Sequence, residues 1–172
     1  MKYPTVCWTL LQVNKWNLYI AATEKGLCYV GAHNGTFEGL LQWVEKEKPN
    51  SLLIEDGQQL APYAIQILEY LTKKRSVFTI PLDLKGTAFQ QSVWKELCKI
   101  PYGETTSYST IAEKISKPNA VRAVGTAIGR NPILITVPCH RVIGKNGALT
   151  GYRGGLEMKK QLLIIERKTD AD

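Results

Sequence analysis

The sequence predicts an α+β chain of two small domains. Residues 1–85 read as a short antiparallel sheet with helices on it, and residues 86–172 as a mostly helical domain containing a helix-turn-helix. Three observations carry this. β-favouring segments crowd the first thirty residues, helical spacing takes over from Phe37, and almost all of the +7 net charge falls in the second half. Residues 1–85 hold 9 Lys/Arg against 8 Asp/Glu, whereas residues 86–172 hold 13 against 7.

The elements follow in order. Tyr3–Gln12, Trp16–Thr23 and Gly26–Ala32 are rich in Val, Ile, Tyr, Trp, Thr and Leu and read as strands. Asn14-Lys15 and Glu24-Lys25-Gly26 break them, and such short connections favour an antiparallel meander. Phe37–Lys48 places Phe37, Leu40, Leu41 and Val44 at helical spacing and ends before Pro49. Leu60–Leu71 repeats that pattern, and Lys73-Lys74-Arg75 supplies charge suited to a helix C-terminus. Phe78–Leu82 reads as one more strand.

Lys85-Gly86-Thr87 marks the boundary. Thr87 is placed to cap a helix through Leu97 with Phe89, Val93, Trp94 and Leu97 on one face. Ser107 is placed to cap Tyr108–Ile115, Lys117-Pro118-Asn119 turns the chain, and Ala120–Ile128 forms a helix of mostly small residues. Short helix, tight turn, short helix is helix-turn-helix spacing. Glu157–Glu166 is the last helix, and residues 168–172 are expected to fray.

At 172 residues the chain can bury a core without staples, and its 44% apolar and 22% charged residues exclude a disordered or fibrous class. No apolar run reaches the roughly 18–20 residues that span a bilayer. Gln12, Asn14 and Lys15 interrupt the early apolar stretch, so no signal peptide is expected and a cytoplasmic protein is. Cys7, Cys28, Cys98 and Cys139 form no C-x-x-C pair and read as free thiols. Cys7, Cys28 and His33 are the soft ligands of the first half, too few for a tetrahedral set, so no metal is expected. The basic second half points to a polyanionic partner.

The chemically informative segment is Asn131-Pro132-Ile133-Leu134-Ile135-Thr136-Val137-Pro138-Cys139-His140-Arg141-Val142, in which an apolar extended run delivers a cysteine directly before a histidine and an arginine. A thiolate is the reactive form of cysteine, and proton-accepting or cationic neighbours favour it. Taken alone, Cys139 reads first as an inert buried thiol and His140 as a core histidine bonded to backbone.

Pro138–Val142 resembles the active-site motif of the O6-alkylguanine-DNA alkyltransferases. The resemblance extends to Phe89–Trp94, Ile100–Thr105, Val121–Gly125, Asn131-Pro132, Gly147-Ala148, Tyr152–Leu156, Lys159, Leu162-Leu163 and Glu166, covering residues 86–167. It implies a ribonuclease-H-like first domain and a winged-helix-like second. It implies a DNA repair protein that flips O6-alkylguanine from the duplex and moves the alkyl group irreversibly to Cys139, once per molecule. His140 would deprotonate Cys139 through a water and Glu166 would orient His140. Tyr108 would supply a proton or hydrogen bond to the leaving guanine, and Asn131 would brace the active-site turns.

By the same resemblance, Arg122 is the finger that replaces the extruded base, and the small residues beside it, Ala123 among them, let the helix enter the minor groove. Lys114, Lys117 and Arg130 are candidate phosphate contacts. Val142, Tyr152, Arg153 and Gly154 would line the base pocket. Arg153 stands where some members carry a small polar residue, and Arg141 would be a structural ion-pairing residue whose carboxylate partner the sequence does not identify. No cofactor is implied. The expected partner is double-stranded DNA carrying O6-alkylguanine, with O4-alkylthymine a second substrate to consider, and a monomer with no membrane association is expected. Two other readings compete: a recognition module that binds alkylated DNA without transfer, and a cysteine hydrolase. The presence of Cys139 opposes the first, and the basic helix-turn-helix half opposes the second.

Overall fold

A computed structural model describes residues 2–168, which divide into two compact units at Leu84/Lys85. The expectation of fraying falls, apart from Lys168, outside the described residues.

In the first unit, strands β1 (Thr5–Val13), β2 (Trp16–Thr23) and β3 (Gly26–Val30) form the expected antiparallel meander. Asn14 makes the first turn at φ 50°, a conformation its short polar side chain tolerates. Helix α1 (Phe37–Glu47) is capped by Thr36, whose side chain accepts from the Gly39 N–H. The chain then enters β4 (Leu52–Glu55), which pairs parallel with β1, so the sheet is mixed, in the order β3-β2-β1-β4, rather than purely antiparallel. Sequence reading missed β4 because its four residues follow a Pro-Asn-Ser turn, and its outer edge is exposed at Leu52 and Ile54.

Helix α2 (Gly57–Leu71) starts three residues before its expected position, because Asp56 caps it through the Gln59 N–H. Pro62 lies inside it at the sixth helical position, where it removes one intrahelical N–H donor. Lys73-Lys74-Arg75 lies beyond the helix rather than in its last turn, with Thr72 as the C-cap. Phe78–Leu82 is not a strand. Only Leu82 bridges to Leu27, while Leu27 donates to Pro81 O and accepts from Asp83 N–H, so the segment pairs with the sheet at one point, and Thr79 and Phe78 hold it instead to Gln66 and Tyr70 of α2. Leu40 and Val44 of α1 pack with Val6, Ala21, Cys28 and Tyr29. The opposite-parity residues Leu18 and Ile20 are equally buried, so both faces of the sheet are covered.

In the second unit, α3 (Ala88–Leu97) opens with a capping box: Thr87 accepts from Gln90 N–H and the Gln90 side chain accepts from Thr87 N–H. Helices α4 (Tyr108–Lys114), capped by Ser107, and α5 (Val121–Gly129) form the helix-turn-helix. Trp94 of α3 is buried and donates its indole N–H to Ala127 O, tying α3 to α5. Two-residue strands β5 (Thr106–Ser107) and β6 (Val142–Ile143) pair in parallel, and α6 (Leu156–Glu166) ends the described fold. Among the described residues, no helix is long and apolar enough to cross a membrane.

Candidate active site

The run Ile133–Val137 is not extended, as the sequence suggested, but tightly turned. Val137 N–H donates to Ile133 O and Thr136 N–H to Leu134 O, and Ile135 sits at φ 71°. A β-branched residue in that region is strained, so the surroundings must hold it there. Asn131 does so. Fully buried, it accepts from Ile133 N–H (2.9 Å) and donates to Val137 O (3.0 Å), clamping both ends of the turn with one amide. The same Nδ2 lies 3.2 Å from Cys139 Sγ.

Cys139 begins a single turn of 3-10 helix, Cys139–Arg141, and is 2% exposed. Burial pushes its thiol above the ordinary range, opposed by the Asn131 hydrogen bond and by the positive charges of Arg153 and Lys159. The resting group is therefore a protonated thiol beside a donor that would stabilise the thiolate.

His140 is fully buried, with Nε2 2.8 Å from Glu166 Oε1. Burial lowers its pKa, outweighing the pull of Glu166 upward, so the imidazole is neutral near pH 7. Its other ring nitrogen, Nδ1, is the one not bonded to Glu166. Glu166 is also the partner that the sequence could not identify for Arg141: Nε donates at 3.0 Å to Oε2 and Nη2 at 2.8 Å to Oε1. Gly103 N–H donates to Oε2 as well, and Arg141 Nη1 to Ile100 O. A buried carboxylate with this many donors is held in one orientation.

Lys159 is the site residue whose role sequence reasoning missed. It is completely buried, and its ammonium donates to Val142 O (2.6 Å) and Thr150 O (2.8 Å). Burial lowers its pKa, and the neighbouring Cys139 opposes that shift. The available signal was a lysine on the buried stripe of α6, in line with Leu162 and Glu166 at helical spacing.

The pairing of β5 with β6 brings the start of α4 beside the segment that follows Cys139. Tyr108 Oη is thereby placed 3.3 Å from Thr150 O, in the Gly144–Gly155 loop, while its ring lies beside Gly125 of α5. Arg153 Nε donates to Asn131 O and Nη2 to Pro132 O. Gly154 allows a close approach: a Cβ there would meet Met158 Sδ at 2.5 Å and the Tyr152 ring at 2.7 Å. Tyr152 Oη is buried, and burial followed by the nearby Cys139 holds its pKa well above the ordinary range.

The structure thus gathers Cys139, Asn131, His140, Glu166, Val142, Tyr152, Arg153 and Gly154 around one turn and loop, with Tyr108 bonded to that loop. Arg122 and Ala123 stand exposed at the start of α5, and Lys114, Lys117 and Arg130 are exposed at the ends of the helix-turn-helix pair, so these five are displayed rather than enclosed. Among the described residues, no group of three or more His, Cys, Asp or Glu side chains could hold a metal ion.

Residues 6–84 match the family described as 6-O-methylguanine DNA methyltransferase, ribonuclease-like domain, and residues 88–168 match its DNA binding domain. The chain is 58% identical over 169 residues to the inducible methylated-DNA–protein-cysteine methyltransferase of Bacillus subtilis, covering 98% of this chain and 94% of that protein. The crystal structure of Mycobacterium tuberculosis O6-methylguanine methyltransferase is similar at TM-score 0.80 and 39% identity, covering 97% of this chain and 96% of that one. The M. tuberculosis OGT structure in complex with DNA is similar at TM-score 0.78 and 38% identity, covering 95% and 92%.

Proposed function

This chain belongs to the 6-O-methylguanine DNA methyltransferase family, and from that membership we propose a residue-level account of how it repairs DNA by moving an alkyl group from guanine to its own cysteine. Cys139 is the acceptor. The observation that carries this is the Cys139 thiol held 3.2 Å from Asn131 Nδ2, on the same short turn as a histidine paired with a buried carboxylate.

The reaction is a displacement at the alkyl carbon. A bond forms from Cys139 Sγ to that carbon as the carbon–O6 bond breaks, and the electron pair stays on the guanine. The thiol proton passes through a water to His140 Nδ1. Glu166 fixes the opposite nitrogen and stabilises the imidazolium that forms. Asn131 steadies the developing thiolate, and Tyr108 supplies a proton or hydrogen bond to the departing base. The thioether product does not hydrolyse, so each molecule acts once.

DNA is engaged by the helix-turn-helix. Arg122 fills the space of the flipped base, which offsets part of the few kcal/mol that extrusion costs. Ala123 lets α5 approach the minor groove, and Lys114, Lys117 and Arg130 contact phosphates. The substrate is duplex DNA with O6-alkylguanine, the protein acts as a monomer without a cofactor, and the cytoplasm is the compartment this reading implies.

Incubation with a duplex carrying one O6-methylguanine, followed by intact mass and peptide mapping, tests the account. One methyl group on the Cys139 peptide, saturating at one per molecule and absent in Cys139→Ala, is the expected result. Binding of the damaged duplex without mass gain would turn the reading to damage recognition without transfer.

A further inference from the structure

Cys139 is 2% exposed, and Asn131, Ile133 and Leu134 around it are completely buried. An alkyl group reaching Sγ must therefore fit between the Asn131–Cys139 turn and the Gly144–Gly155 loop. How far that loop can stand off decides how large the group can be.

The loop is held from two sides. On the inner side, Gly154 is already packed against Met158, the Tyr152 ring and Leu134, so the loop cannot move further in. On the other side, the Arg153 guanidinium reaches across to two consecutive carbonyls, Asn131 O at 2.8 Å and Pro132 O at 3.1 Å. A planar guanidinium bonded through two nitrogens is a rigid strap, which a short or flexible side chain cannot reproduce. The carbonyls it grips belong to the turn whose amide touches Cys139, so the strap fixes the loop relative to the acceptor itself. Lys159, bonded to Val142 O and Thr150 O, anchors an earlier point of the same loop, and Gly155 ties its far end to α6 by accepting from Lys159 N–H, so Arg153 is the strap on the stretch between them.

We propose that Arg153 is a specificity-determining residue: by strapping the pocket loop to the Asn131–Pro132 turn it sets an upper limit on the size of alkyl group that Cys139 accepts. The inference rests on the alkyl-transfer account above. Without the strap the loop swings outward. Methyl transfer then loses some alignment, whereas transfer of a bulky group gains room.

The test uses the full chain and duplexes carrying O6-methylguanine or O6-benzylguanine, with single-turnover rates for the wild type, Arg153→Ala and Arg153→Lys. The ratio of benzyl to methyl rate rises about tenfold in Arg153→Ala, the scale at which pocket shape discriminates between apolar groups. Arg153→Lys, which keeps the charge but not the planar fork, falls between the two. An unchanged or lower ratio overturns the inference, as does an equal loss of both rates, which would mark Arg153 as a purely electrostatic or structural group. A wild type that transfers no methyl group would overturn the account of Cys139 itself, and this inference with it.

Discussion

The first unit, Met1–Leu84, and the second, Lys85–Asp172, bury different chemistry. Every buried polar or charged residue among the described residues lies in the second: Glu96, Asn131, Thr136, His140, Arg141, Lys159 and Glu166. The interior of the first is Val6, Leu18, Ile20, Leu27, Leu40, Ile67 and their like. Its strongest ion pair, Lys48 with Asp83 at 2.8 Å, stays partly exposed. A buried charge costs several kcal/mol of desolvation unless it is paired and hydrogen-bonded, so apolar packing alone is the cheaper way to hold a fold. The first unit is built that way. The second carries the extra cost where the chemistry lies, and its buried charges share partners: Glu166 serves both His140 and Arg141, and Lys159 ties two backbone segments together.

The contrast is most easily broken at Glu166. Glu166→Gln leaves Arg141 buried without a countercharge, which costs about 3–5 kcal/mol. His140 loses its orienting carboxylate in the same step. Chemical denaturation and single-turnover methyl transfer should both register a large loss. A variant as stable as wild type would mean that Arg141 does not depend on Glu166 for its countercharge.

Asn131→Ala comes next. It removes the amide that clamps Ile133 to Val137 and donates to Cys139, leaving Ile135 strained without its brace. A stability loss of about 2–3 kcal/mol is expected. Transfer should fall further than the lost folded fraction explains, which rates measured well below the melting range would separate.

The pH profile sharpens the comparison without a mutation. Burial lowers the His140 pKa, so the imidazole remains a neutral base below its ordinary value of about 6.5. Burial raises the Cys139 pKa, so the resting thiol keeps its proton through neutral pH and has to pass it to that base. Methyl-transfer rates should therefore hold as pH falls to 6.5 and decline only below it, and should climb as pH rises toward the thiol range. An acid inflection above pH 6.5 would contradict a neutral buried imidazole.

The smallest effect belongs to the first unit. Burial acts to raise the Asp83 pKa, but hydrogen bonds from Lys48 and Thr23 outweigh it and the net shift is downward. A carboxylate depressed on folding stabilises the protein above its unfolded pKa, and that contribution fades as pH falls through the folded value, below the usual carboxylate range. Asp83→Asn should cost about 1 kcal/mol at neutral pH and leave the transfer rate unchanged. A changed rate would show that Asp83 does more than stabilise the first unit.

The residues that sequence reading placed well are those whose signals act over three or four positions. Thr87 and Ser107 cap their helices, Trp16–Thr23 is a strand with the expected ends, and the Lys117-Pro118-Asn119 turn separates the two helices of the helix-turn-helix. Caps, turns and periodicity are local, so the order of the letters suffices for them. The Cys139-His140-Arg141 triplet was legible for the same reason. The residues around it were named only through the family resemblance, not by any local signal. Parallel pairing of β4 with β1, docking of Leu82 at one point rather than as a strand, and the turned backbone at Ile135 depend on which chain segments meet in space. Glu166 lies 25 and 26 residues from the two side chains it binds, and Arg153 lies 22 from Asn131. Nothing in the letters says which carboxylate a buried arginine will find, because the choice is made by desolvation: charges brought inside together must satisfy one another. The sequence by itself determined the elements and the reactive triplet, and the tertiary structure decided which groups surround Cys139 and how tightly they hold it.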